Sequence, residues 1–151
     1  NQFWPGRIIN HDAEDPSLLD LGLDEMNNVV QTNRFVADVD IPILIGHCAA
    51  NPYGGYSGGY KMLVTGLAGM KSIASHHTPK TMLRKDWLGG AVKSHMRNQF
   101  KSIGAAIEKQ IGKDFYTVDA VIGRTADVLK CPKLLLNVGA VGKENLFSAI
   151  S

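Results

Sequence analysis

The chain reads as an α/β domain, a layered sheet with flanking helices, and three stretches carry that reading. Ile41-Pro42-Ile43-Leu44-Ile45-Gly46 is continuous, apolar and β-branched and closes on glycine, as a strand buried on both faces does. Residues 90–110 bring Val92, Met96, Phe100, Ile103 and Ile107, then Ile111, round at steps of three and four. That spacing draws one apolar stripe down a helix, and Gly112 is its stop. Residues 115–122 and 134–138 read as two further strands. Strand, loop, helix, strand, strand is the order of a layered α/β domain.

The remaining elements are weaker. Residues 6–10 are expected to form a short strand that runs into the polar His11-Asp12-Ala13-Glu14-Asp15-Pro16. Residues 27–39 mix Val29, Val30, Phe35, Val36 and Val39 with polar positions and predict a strand followed by a short helix. Met62, Leu63, Val64, Leu67, Met70 and Ile73 recur at near-helical spacing, interrupted by Gly66 and Gly69.

At 151 residues the chain holds one domain, 1–151, with a genuine core. A hydrophobic share of 44% with 20% charged residues is that of a soluble globular protein. The formal charge of +2 is too small to argue for nucleic acid or a membrane surface, and no apolar run of spanning length occurs. Arg84, Lys85, Lys93, Arg97, Lys101 and Lys109 alternate with apolar positions, as on a solvated helix face, and no aromatic stacking platform interleaves them. Cys48 and Cys131 match no metal or redox spacing, so both are expected to be reduced and buried in a cytoplasmic protein. The start at Asn1 leads to the expectation of a fragment or processed product.

Asn51-Pro52-Tyr53-Gly54-Gly55-Tyr56-Ser57-Gly58-Gly59-Tyr60-Lys61 is the stretch richest in chemistry. Four glycines in six residues permit positive φ and a close approach of backbone to ligand. They serve an ordinary tight turn equally well. Lys61 closes the run, and His76-His77 follows. A lysine at a glycine loop suits covalent or phosphate chemistry and a histidine suits a metal, so a cofactor site is the leading reading. Taken alone, Lys61 also fits a surface lysine. His76, adjacent to His77, points about 100° away on a helix and suits a cap or solvent better than a second ligand. Tyr56 and Tyr60 suit either the site or the core. Familiar phosphate motifs fail: Gly139-Ala140-Val141-Gly142-Lys143-Glu144 has two residues where a P-loop has four, and no dinucleotide fingerprint occurs. A hydrolase nucleophile elbow at Ser57 is also set aside.

The segment from Ile43 to His77 resembles the lactate racemase family, whose loop has the form small-Gly-aromatic-Ser-Gly-Gly-x-Lys after a buried strand. Gly54-Gly55-Tyr56-Ser57-Gly58-Gly59-Tyr60-Lys61, then Gly66, Gly69, Ile73 and His77, carry the match. Asn10-His11-Asp12, Asn33-Arg34 and Ala37-Asp38 resemble the family more loosely. The resemblance implies an incomplete N-terminal domain of a two-domain protein. It implies a nickel-pincer nucleotide joined to Lys61, with its nickel ligated by His77 and its loop made of Gly54, Gly55, Tyr56, Ser57, Gly58 and Gly59. It further implies reversible hydride removal from C2 of a small 2-hydroxy acid, with cofactor-maturation proteins as partners.

Two positions depart from the family pattern. Asn51 stands where one of two catalytic histidines belongs, and an amide can orient a hydroxyl but cannot accept its proton at neutral pH. Thr65 replaces the usual proline before Gly66. His47 is a candidate substitute base, with a core or supporting histidine as the plainer reading; His11 and His95 fit surface positions equally well and neither is chosen as the base. Two alternatives stand beside the racemase reading. One is a non-catalytic nucleotide- or anion-binding domain of the same ancestry. The other is a zinc hydrolase on His76, His77 and a carboxylate, which lacks the i, i+4 spacing of two helical ligands.

Overall fold

Apolar β-branched runs pair where their flanking turns leave them extended, and here three do. The computed structural model describes residues 8–86, 94–122 and 136–141. Strand β3 (Ile43–His47) lies parallel to β6 (Tyr116–Ile122), in register from Ile43 opposite Tyr116 through Gly46 opposite Asp119. β7 (Leu136–Val141) pairs antiparallel on the far side of β6, giving the order β3-β6-β7. A parallel pair needs a long crossover. Here the crossover carries the small hairpin β4 (Ala50–Asn51) and β5 (Gly55–Tyr56), then helices α2 (Tyr60–Val64), α3 (Met70–His76), α4 (Pro79–Met82) and α5 (His95–Ile111). Ahead of the sheet, β1 (Leu19–Leu23) and β2 (Val29–Thr32) form a bulged antiparallel hairpin, followed by α1 (Phe35–Asp38).

The layered α/β expectation holds, and helix α5 holds the core together. Met96, Phe100, Ile103 and Ile107 are each at most 1% exposed, so the stripe read from the spacing is the buried face. They pack with Leu63 and Val64 of α2, Val30 of β2, Val36, Leu44 and Phe115. Ser94 caps the helix, its Oγ accepting the Arg97 N–H at 3.2 Å, and Gly112 ends it at φ +71°. Tyr60 Oη donates to Glu108 at 2.7 Å, and Glu108 also accepts the Phe115 N–H, so Tyr60 ties α2 to α5. A buried chain of amides does the same for the hairpin: Gln99 donates to Asn28, and Asn28 donates to Asp24.

Several expectations change. β3 is buried on one face only: Leu44 is 6% exposed, whereas Ile43 and Ile45 are 55% and 73% exposed. A continuous apolar run gives no signal of which face is covered. The apolar series from Met62 to Ile73 forms two helices, because Gly66 and Gly69 break it where the isolated bridge from Thr32 to Ala68 ties the turn to β2. Residues 8–10 are not strand, whereas β1 forms despite Asp20 and Gly22. The strand–helix reading of 27–39 holds as β2 and α1. Positions 6, 7 and 90–93, the strand residues 134–135 and Cys131 lie outside the described residues.

Candidate functional site

The glycine loop adopts the backbone that its sequence permits. Gly54, Gly55, Gly58 and Gly59 have φ of +78°, +89°, +83° and +57°. Two are also required by what lies beneath them. A Cβ at Gly54 would sit 2.8 Å from the Phe100 ring, and one at Gly58 would sit 2.7 Å from Asp119 Oδ1. Gly59 faces open space. The loop therefore lies against α5 and β6, with open space at Gly59, two residues before Lys61.

Lys61, in the first turn of α2, is half-buried. Its Nζ donates to Asn51 Oδ1 at 2.7 Å and to the Tyr53 carbonyl at 2.9 Å, and it lies 5.7 Å from the centre of the Phe100 ring. Burial, with a smaller push from the Arg97 guanidinium, lowers the amine to about 8. Asn51 Oδ1 also accepts the Tyr53 N–H at 2.8 Å, so this one oxygen both shapes the turn and holds the lysine.

His77 follows α3, its ring 6.0 Å from the Tyr53 ring. With Nδ1–H donating to the Ile73 carbonyl at 3.1 Å, the lone pair falls on Nε2, which has no hydrogen bond among the described residues. A ring oriented by its other nitrogen in this way suits metal ligation. Lys61 and His77, sixteen positions apart in the chain, thus both border Tyr53.

His76 is fully buried, which corrects the cap-or-solvent expectation. Its ring meets Phe100 edge-on at 5.2 Å and lies 4.5 Å from the His77 ring. Burial, then the neighbouring His77, lowers it to about 4, so it is neutral at physiological pH and serves the core. No three His, Cys, Asp or Glu side chains converge on a metal position among the described residues, and the zinc-hydrolase alternative has no support there. His47 is exposed rather than a core residue; its carbonyl accepts from Ser57 Oγ at 2.7 Å. His11 is partly buried, bridging Asn33 and the Ala68 carbonyl, and is structural. Thr65 ends α2, its hydroxyl donating to the Lys61 carbonyl. Tyr56, half-buried on β5, offers its carbonyl to Arg97.

Gly55-Tyr56-Ser57-Gly58-Gly59 does satisfy G-x-S-x-G, so spacing alone does not dismiss a nucleophile elbow; geometry does. α2 starts three residues after Ser57, whose hydroxyl is held by the His47 carbonyl and the Ala49 N–H, with no imidazole partner among the described residues.

Two site residues escaped the sequence reading. Arg97, expected on a solvated face, is 6% exposed, and its Nη1 donates to the Tyr56 carbonyl at 3.2 Å. Asp119, 2% exposed, accepts the Gly59 N–H at 2.9 Å. The available signal was a lone carboxylate inside the apolar run of β6. Cys48, buried as expected, lies near both charges; burial and then Asp119 raise its pKa. No helix among the described residues is long and apolar enough to cross a membrane.

Comparison with known proteins agrees with this architecture. Residues 2–87 match the lactate racemase N-terminal domain family. The lactate racemase apoprotein from Thermoanaerobacterium thermosaccharolyticum superposes with a TM-score of 0.68 at 16% identity, covering 81% of this chain and 28% of that one. A structural-genomics target from Thermotoga maritima gives 0.63 at 20% identity, covering 78% and 32%. The chain thus spans about a third or less of the length of these proteins. No curated protein sequence matches it. At these identities the structures establish the fold, and the sequence match over more than half the chain establishes descent: the chain belongs to the lactate racemase N-terminal domain family.

Proposed function

We propose that this domain is the cofactor-bearing part of a cytoplasmic racemase or epimerase acting on a small 2-hydroxy acid. Lys61 anchors a nickel-pincer nucleotide supplied by maturation proteins, and His77 ligates its nickel. The observation that carries this reading is the convergence of a reactive amine and a lone-pair-bearing imidazole nitrogen on Tyr53, beside a glycine loop open at Gly59.

The residues fit the group. An amine lowered to about 8 is available for covalent attachment near neutral pH. One protein imidazole is sufficient where the cofactor supplies the other donors. When bound, the cofactor would accept and return the C2 hydride. The chain's own part is to hold the lysine at Asn51 and Tyr53 and to fix the His77 ring through Ile73. Intact and peptide mass spectrometry of chain co-produced with a cofactor-synthesis system, paired with a nickel assay, tests the reading. A nickel-dependent adduct on Lys61, absent from Lys61→Ala and stripped of nickel in His77→Ala, is expected; bare Lys61 without nickel refutes it.

A second reading is favoured by Asn51, whose carbonyl oxygen is already engaged by Lys61 and Tyr53 and cannot act as a base. The domain would then bind the nucleotide or an anion without turnover. Ligand binding with no exchange of the C2 hydrogen of any 2-hydroxy acid would select it.

A further inference from the structure

Beneath the glycine loop, Asp119 and Arg97 are two buried charges that the attachment chemistry does not itself use. Gly46, Gly58 and Gly59 all border the Asp119 carboxylate. A Cβ at Gly46 or Gly58 would stand 2.8 or 2.7 Å from Oδ1, and Oδ2 accepts the Gly59 N–H at 2.9 Å. Oδ1 has no hydrogen-bond partner among the described residues. Arg97 provides charge compensation from α5 and grips the loop at the Tyr56 carbonyl. The Gly58–Gly59 backbone leads directly into α2, whose second residue is Lys61.

We propose that Asp119 is the positioning residue of this site, fastening the Gly58–Gly59 peptide to β6 so that the Lys61 amine is held at the loop mouth before any ligand arrives. The Gly58–Gly59 link has no side chain to stiffen it, and glycine has the greatest backbone freedom of any residue. A carboxylate accepting a backbone N–H out of water makes a charge-assisted bond about twice as strong as a neutral one. Its placement explains why the loop requires glycine at 58, where the φ of +83° and the carboxylate both exclude a side chain. Asp119 touches no reacting atom; it acts through the backbone of α2. The inference rests on Lys61 being the anchor, but its test needs neither nickel nor nucleotide.

Trace acetylation of the whole chain by acetic anhydride across pH 6.5–10.5, quantified at Lys61 against Lys71, reads the amine directly. In Asp119→Ala the Lys61 midpoint is expected to rise by a unit or more, with acetylation relative to Lys71 falling about threefold or more at pH 7. Asp119→Asn keeps an oxygen for the Gly59 N–H and is expected to show no upward move. Gly58→Ala, which displaces the loop from an intact Asp119, is expected to behave as Asp119→Ala does. Ile103→Val, a core substitution on α5, controls for lost stability and should leave the midpoint in place. A parent-like profile in folded Asp119→Ala overturns the proposal, as does an equal shift in Ile103→Val. Should the alanine variants fail to fold, amide exchange of the unaltered chain decides: Gly59 N–H protected supports the clamp, and exchange at the free-peptide rate overturns it. A missing cofactor adduct would refute the functional reading and leave this outcome untouched.

Discussion

The lysine at the loop mouth should be the most reactive lysine side chain among the described residues near neutral pH, and the size of the effect can be worked out. With its pKa lowered to about 8, roughly a tenth of Lys61 is unprotonated at pH 7, against about 0.03% of an ordinary lysine. The difference is about 300-fold. Nucleophilicity falls with basicity, and the slope known for thiols takes back about ten- to twentyfold over 2.5 units. A net excess of about 15- to 30-fold over exposed Lys71 or Lys109 remains. Competitive acetylation mapped by peptide mass spectrometry measures it. Arg97→Gln, which removes the guanidinium but keeps a donor for Tyr56, should raise the midpoint and lower the excess. Folding is linked with a definite sign. Between about 8 and the ordinary value of 10.5 the unfolded chain binds more protons at Lys61, so this group's contribution makes stability rise with pH there. A Lys61 midpoint near 10.5, or acetylation no faster than Lys71, would refute the picture of a desolvated amine.

Other outcomes follow from the same geometry. His76, neutral with its pKa near 4 against an ordinary 6.5, supports stability fully above pH 6.5 and loses that contribution as pH falls through 4; His76→Gln should flatten this part of a Tm-against-pH curve. In β3, Leu44→Ala should cost about 2–5 kcal/mol by denaturant titration, whereas Ile45→Thr should stay within roughly 0.5, and equal costs would mean that both faces are covered. Gly104→Ala replaces a poor helix former, worth about 1 kcal/mol, yet its Cβ would stand 2.6 Å from the Tyr60 ring; net destabilisation is expected, and a stabilised variant would show that the α2–α5 contact yields. Asn51→His returns a proton acceptor to the site, and in cofactor-loaded protein C2-hydrogen exchange should rise about 10²-fold or more over the parent; no gain would place the base elsewhere.

Much of this protein was legible from local pattern. The α5 stripe, its Gly112 stop and the strands β3, β6 and β7 follow from periodicity and glycine placement, because those signals are written in neighbouring residues. The positive φ of the loop glycines was legible for the same reason. Tertiary structure alone decided what those elements meet. Exposure of Ile45 and burial of His76 depend on which element covers each face, and an apolar or imidazole side chain carries no mark of that. Arg97 alternates with apolar neighbours like any solvated residue, and only the approach of the loop turns it inward. Asp119 lies sixty positions from the Gly59 N–H it accepts, and only the parallel pairing of β3 with β6 sets it under the loop. The sequence by itself determined the main elements and the freedom of the loop backbone, which are local; the pairing of two distant strands decided which side chains stand together.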